Sequence, residues 1–155
     1  MNSGKIFQIN ISNGGVPKLP IPEGEVMELG ILGDAHHDME HHGGPSRALC
    51  LYSLEQIQAL QAEGNPIQPG DIGENITTVG IDLSGLGIGD RLRIGENVVV
   101  ELTSFAVPCS HIRFAFAGGV IQRVSQKTNP GWSRLYASIL QGGMIRVGDP
   151  VSTLE

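Results

Sequence analysis

Short apolar runs broken by glycine and proline dominate this chain, and their spacing predicts strands more often than helices. KIFQINIS, Lys5–Ser12, alternates apolar and polar positions as a half-buried strand does. NGGVPKLPIPEGE reads as a Gly/Pro loop, and EVMELGILGD as a second strand running into a turn. RALCLYS, Arg47–Ser53, is a short apolar run of the kind found in interior strands. SLEQIQALQAE then opens a helix. Ser53 caps it, Gln56 completes a capping box, Leu54, Ile57 and Leu60 form its buried stripe, and Gly64 and Pro66 stop it. NITTVGI has strand character, and DRLRIGENVVVELTSF predicts two strands joined across Gly95, Glu96 and Asn97. A second, shorter helix is predicted from Trp132 to Leu140, with Leu135, Ile139 and Leu140 facing in and Gly142-Gly143 ending it. MIRVGDPVSTL closes the chain as a last strand. Strands outnumber helices and do not alternate with them. The expectation is a mainly β, closed or folded-over barrel with short peripheral helices, rather than a doubly wound α/β sheet.

Composition sharpens this picture without changing it. The chain has 155 residues, 40% hydrophobic and 17% charged, which suits one globular domain, residues 1–155, with a sizeable core. Its 22 glycines match the many turns. A formal net charge of −6, with no block of Lys or Arg, argues against a nucleic-acid partner, although a local basic pocket for one anionic ligand is compatible with it. The start lacks the pattern of a signal peptide, and no apolar run is long enough to span a bilayer. Two cysteines outside any CxxC pair suggest no disulfide framework. The expected setting is cytoplasmic, with no membrane association.

Candidate chemistry falls in a few places. GLGIGD, Gly85–Asp90, lacks the dinucleotide spacing and opens no helix, so it reads as a tight turn. GDAHHDMEHHGGPSR, Gly33–Arg47, holds four of the five histidines. Only His37 and His41 stand four apart, and no HExxH or Cys/His zinc spacing is present. A metal-binding histidine module therefore competes with a solvated loop, and with a third reading in which His42, beside flexible glycines, lines a ligand pocket. Cys50 sits inside an apolar run and is expected to be buried and inert. Cys109 follows Pro108 at a strand exit and precedes His111, a setting in which a thiol can be exposed and reactive. Arg47, Arg113, Arg123, Lys127 and Arg134 are the basic residues near these loops, and arginine suits phosphate or carboxylate. In GDIGENIT, Gly70–Thr77, the glycines allow close approach of backbone to a ligand, and Asn75 carries a donor and an acceptor able to read a heterocycle edge.

Taken together, HGGPSRALCLYS, PGDIGENITTVGI, IGDRLRIG, VELTSFAVPCSHI and PGWSRLYASILQGGMIRVGDPV resemble a stand-alone bacterial MOSC domain, the molybdenum cofactor sulfurase C-terminal domain family. Each motif is weak alone; their order and number, from about Lys5 to Val151, carry the resemblance. It implies a strand-rich barrel, a pocket for the molybdenum cofactor (molybdopterin), and a cysteine that ligates molybdenum or carries sulfur for it. That cysteine maps onto Cys109. The HGGPxR segment maps onto His42, Gly43, Gly44, Pro45 and Arg47, the GENxT segment onto Gly73, Glu74, Asn75 and Thr77, and GWSR onto Gly131, Trp132, Ser133 and Arg134. Arg47 or Arg134 would pair with the cofactor's phosphate, Asn75 and the main chain at Gly73 would read its ring, and Trp132 would stack on it or anchor its own segment. Ser46 stands where many relatives carry Asp, and His111 near where a Lys often stands. The function implied is reduction of small N-hydroxylated compounds at a Cys-ligated molybdenum centre. The alternative is a non-catalytic carrier holding a Cys109 persulfide or handing on the cofactor. Either role calls for a partner in trans, an electron-donor protein or a cysteine desulfurase, and the first for a small-molecule substrate.

Overall fold

The computed structural model describes residues 2–35 and 44–155. Its strands are β1 (Ser3–Ile11), β2 (Leu19–Ile21), β3 (Glu23–Met27), β4 (Gly30–Ile31), β5 (Leu49–Ser53), β6 (Ile76–Val79), β7 (Arg91–Ile94), β8 (Val98–Phe105), β9 (Leu135–Gln141), β10 (Gly143–Arg146) and β11 (Pro150–Leu154); helix α1 (Leu54–Ala62) follows β5. Hydrogen bonding runs β11-β7-β8-β9-β5-β6-β1, and β1 pairs back to β11, which closes the ring as a barrel. All its neighbours are antiparallel except β5 and β6, which are parallel and therefore need the crossover that α1 begins. β10, β3 and β4 form a small separate sheet.

Period-two alternation fills the barrel. Leu49 and Leu51 of β5, Leu135 and Ala137 of β9, and Val98, Val100 and Leu102 of β8 belong to one cluster of buried side chains with Ile6, Ile9, Leu92 and Ile94. Ile6 and Ile9 are three apart and still share this core. The register between β1 and β6 slips between Ile6 and Gln8, a bulge that leaves Phe7 exposed and restores the inward phase for Ile9.

β5 is buried on both faces because a second layer covers its outside. Tyr52, Ile57, Leu60, Ile67, Ile72, Ile112, Ala115, Phe116 and Val124 make that layer. α1 starts as its sequence predicts: Ser53 Oγ accepts the Gln56 N–H at 3.1 Å and donates to Gln56 Oε1 at 2.9 Å. Ile57 and Leu60 are fully buried, while Leu54 is only partly so. GLGIGD is a turn closed by Asp90, whose carboxylate accepts the Gly87 N–H at 2.8 Å.

Three expectations need correction. Trp132–Leu140 is no helix: Trp132–Arg134 is irregular and Leu135–Gln141 is β9, between β8 and β5. Leu135 and Ile139, four apart, satisfy a helical stripe and a strand face equally; Ala137 between them, buried in the same cluster, marks period two. Gly142-Gly143 accordingly joins two strands, and a Cβ on Gly142 would lie 2.4 Å from the Val26 carbonyl oxygen. MIRVGDPVSTL is two strands, β10 and β11, separated at Val147–Asp149 with Gly148 at φ +94. The Gly/Pro loop after β1 contains the short edge strand β2, where Pro20 is tolerated because an edge leaves one side unpaired.

Candidate functional site

A cavity of about 320 Å³ lies outside the barrel, on the outward faces of β5 and β9. Cys50 and Tyr136 are directly paired across these strands, and their sequence neighbours Leu49, Leu51, Leu135 and Ala137 point inward. Alternation therefore sends Cys50 and Tyr136 out to form the cavity floor. One wall is the loop Gly15, Val16 and Lys18; another is the turn Ile72, Gly73 and Asn75. Cys109, His111 and Ile112 close a third side. Ser110–Ala115 is a 3-10 helix, whose side chains eclipse every three residues. Ile112 and Ala115 accordingly face the second core layer, while His111 is exposed at the cavity mouth.

Of the residues singled out from sequence, Cys109, His111, Arg47, Gly73, Asn75 and Arg134 come together on this wall. Cys109 is a free, partly exposed thiol. Arg47 is the last residue of a 3-10 turn entered through Gly44 and Pro45. Arg134 is only 3% exposed. Its Nη1 donates to the Ile72 carbonyl at 2.8 Å, whereas Nε and Nη2, also buried, have no partner. A buried guanidinium with unmet donors is costly, and an anion is the partner that would best meet them.

Asn75 takes a different role from the expected heterocycle reader. Its Oδ1 accepts the Cys50 N–H at 3.0 Å, and its Nδ2 donates to the Asn10 carbonyl at 3.2 Å and to Asp34 Oδ2 at 2.8 Å. Its amide stitches β1, β5 and the segment after β4 together. Glu74 and Trp132 stand off the described wall. Glu74 is fully buried behind it, one carboxylate oxygen accepting from Thr77 Oγ1 at 3.0 Å and the other without a partner. Burial pushes its carboxyl up to about 7, against the lowering effect of hydrogen bonds and of Arg134. Trp132 packs on the second core layer under the Arg123 guanidinium, 4.1 Å from the ring centre, and its carbonyl accepts the Tyr52 hydroxyl at 2.8 Å. It anchors its segment. His42 lies outside the described residues, as do His36, His37 and His41. Among the described residues no group of three His, Cys, Asp or Glu is placed to hold a metal ion.

Among the wall residues whose side chains carry a charge, hydroxyl or thiol, sequence reasoning missed three: Lys18, Tyr136 and Cys50 as a cavity residue. Cys50 is buried as expected, and burial pushes its thiol up to about 12; burial likewise raises Tyr136. Both stay protonated and uncharged at neutral pH. The signal for Cys50 and Tyr136 lay in strand parity, which the helical reading of 132–140 concealed. Among the described residues no helix is long and apolar enough to cross a membrane.

The arrangement defines a class: a closed β-barrel carrying an external, cationic ligand cavity with a thiol at its side. The family follows from comparison. The model of the MOSC domain matches residues 38–152, and the chain belongs to that family. It is 28% identical to the uncharacterized protein YflK of Bacillus subtilis over 92% of this chain and 71% of that one. It is 32% identical to protein YiiM of Escherichia coli over 77% of this chain and 55% of the relative. It is also 31% identical to a protein named reductase from Gibberella moniliformis, over 81% of this chain but only 23% of that much longer protein. Among solved structures, YiiM of Geobacillus stearothermophilus superposes with a TM-score of 0.74 at 24% identity, covering 97% of this chain and 75% of that one. The YUAD protein of Bacillus subtilis gives 0.74 at 19%, covering 96% and 94%.

Proposed function

We propose that this chain binds the molybdenum cofactor in the cavity over Cys50 and Tyr136, with Cys109 as the protein's thiolate ligand, and that it reduces small N-hydroxylated compounds. The observation that carries the proposal is Arg134, a buried guanidinium whose Nε and Nη2 lack partners at the wall of the cavity. The cofactor's phosphate is an anion of the kind these donors take in pairs. The rest of the donor set fits. A thiol is a soft ligand suited to molybdenum, and a cavity of about 320 Å³ falls in the range of small-molecule sites.

When bound, the cofactor supplies the two-electron redox chemistry. The protein's own residues bind and orient. Arg134 and Arg47 hold the anionic end, Cys109 presents Sγ, and the neutral Cys50 and Tyr136 add no charge against it. Reduction of an N-hydroxyl group consumes two electrons and two protons and releases water. His111, exposed at the mouth, is the proton donor we assign to that oxygen. The electrons come from a donor protein in trans, in a cytoplasmic setting that keeps both thiols free. The Gibberella moniliformis relative named a reductase supports the redox class. The partial exposure of Cys109 also favours a carrier reading, in which that thiol bears a persulfide received from a cysteine desulfurase.

Co-expression with cofactor synthesis, followed by assay of bound molybdenum and of oxidised-pterin fluorescence, tests the proposal. Absence of both signals overturns it. Cys109→Ala is expected to retain pterin and lose N-reduction. Cofactor or sulfur bound without any turnover would favour the carrier.

A further inference from the structure

The cavity is unusually cationic for this chain. Acidic residues outnumber basic ones 16 to 10, yet the described wall carries Lys18, Arg47, Arg134 and His111 and no carboxylate. Lys18 is the unexpected member. It is 6% exposed, and its Nζ donates to Asp34 Oδ1 at 2.7 Å. Asp34 is itself locked, accepting the Ser12 N–H at 2.9 Å and Asn75 Nδ2 at 2.8 Å. The Lys18 main chain is held too. Its N–H donates to the Gly70 carbonyl at 2.9 Å, and Gly70, at φ +89, lies so close that a Cβ there would be 2.3 Å from the Lys18 oxygen.

Stability does not account for this arrangement. A buried ion pair is commonly no better than an uncharged pair of similar size, since both ions are taken from water. A lysine ammonium has three N–H donors, the one described hydrogen bond, to Asp34, uses one of them, and Lys18 lines the cavity. Arg134 likewise keeps Nε and Nη2 unpartnered. The two cations act on the same floor. Burial dominates at the Cys50 thiol, but the fields of Arg134 and Lys18 both reach it and pull against that effect.

We infer that Lys18, fixed in place by Asp34, is a second anion-holding residue of the cavity, and that an anionic ligand group binds to it and to Arg134 together. The inference deepens the cofactor reading and rests on it for the ligand's identity; the binding of an anion can be tested without cofactor. Asp34 sets the position of Lys18 and also offsets its charge, so removing the carboxylate and removing the ammonium have opposite effects on anion binding.

The probe is sulfate, a dianion that does not titrate between pH 6 and 8, measured by calorimetry on the full chain at fixed ionic strength. Asp34→Asn keeps the ammonium and removes its counter-charge, and is expected to bind sulfate several-fold more tightly than the unaltered protein. The double variant Lys18→Met/Asp34→Asn leaves neither member of the pair as a lone buried charge, so it is the variant expected to fold. It is expected to bind sulfate about tenfold more weakly, the worth of one charge-assisted hydrogen bond. A merely structural role for the pair would move both variants the same way. Equal weakening in both, or a double variant that binds as the unaltered protein does, overturns the inference. A chain that holds neither molybdenum nor pterin yet shows the opposed sulfate effects overturns the cofactor reading and supports this one.

Discussion

Asn75→Ala separates a structural from a ligand-reading role. The substitution strips the Cys50 N–H, the Asn10 carbonyl and one Asp34 oxygen of a partner, all around a side chain only 1% exposed. Asp34 keeps Lys18 and Ser12, so its loss is the smallest. A buried polar group left unpaired costs roughly 1–3 kcal/mol, so the three together amount to about 4 kcal/mol. For a domain of this size that lowers Tm by roughly 8–16 °C. Circular-dichroism melts and urea titrations check it, and the urea m-value should be unchanged because the same surface is exposed on unfolding. Asn75→Asp should be worse, since it sets a carboxylate against Asp34 and the Asn10 carbonyl. A loss below about 1 kcal/mol, one ordinary hydrogen bond, combined with weakened ligand binding, would refute the structural role and make Asn75 a reader of the ligand.

Other outcomes follow from the same geometry. Under native conditions iodoacetamide should label Cys109 and spare Cys50, which is buried with its thiol pushed up to about 12, until the chain unfolds; mass spectrometry of tryptic peptides reads this. Glu74 is raised from 4.5 to about 7 in the folded state, so it binds its proton more tightly folded than unfolded. Its contribution is full below about pH 4.5 and is lost as pH rises through about 7. Glu74→Gln should flatten that part of a pH–stability curve, and an unchanged slope would show that another group sets it. Gly70→Ala places a methyl group 2.3 Å from the Lys18 oxygen at φ +89, so it should destabilise by about 1–3 kcal/mol and weaken sulfate binding; a melt within 1 °C of the unaltered protein would argue against that contact.

What was legible from sequence was mostly local. β5 announced itself as a run of apolar residues, and α1 through Ser53, Gln56 and the residues that end it. β9 was misread because Leu135 and Ile139 satisfy two periods at once. The choice between them is made by hydrogen bonding to β8 and β5, which no local pattern records. The site divides the same way. Cys109, Arg47 and Arg134 carry chemistry in their side chains and could be named in advance. Lys18 depends on Asp34 sixteen residues on and on Gly70 beyond that. Asn75 has a donor and an acceptor, as expected, but only the fold shows that both are spent within the protein. The sequence leaves Trp132 either to stack on a ligand or to anchor its segment, and its packing against Arg123 and the outer layer is a tertiary fact.

The pairing of Ser3, Gly4 and Lys5 with Ser152, Val151 and Pro150 closes the ring. It also sets the order in which the molecule can be completed. β1 leaves the ribosome well before β11, and until β11 arrives β1 and β7 each present an unpaired rim of backbone donors and acceptors, the surface on which nascent chains stick to one another. The cavity's own elements, from the Gly15 loop to β9, are all synthesised before that final seam is sewn. Trimming β11 should therefore be felt less as a change in ligand chemistry than as a failure of newborn chains to escape aggregation.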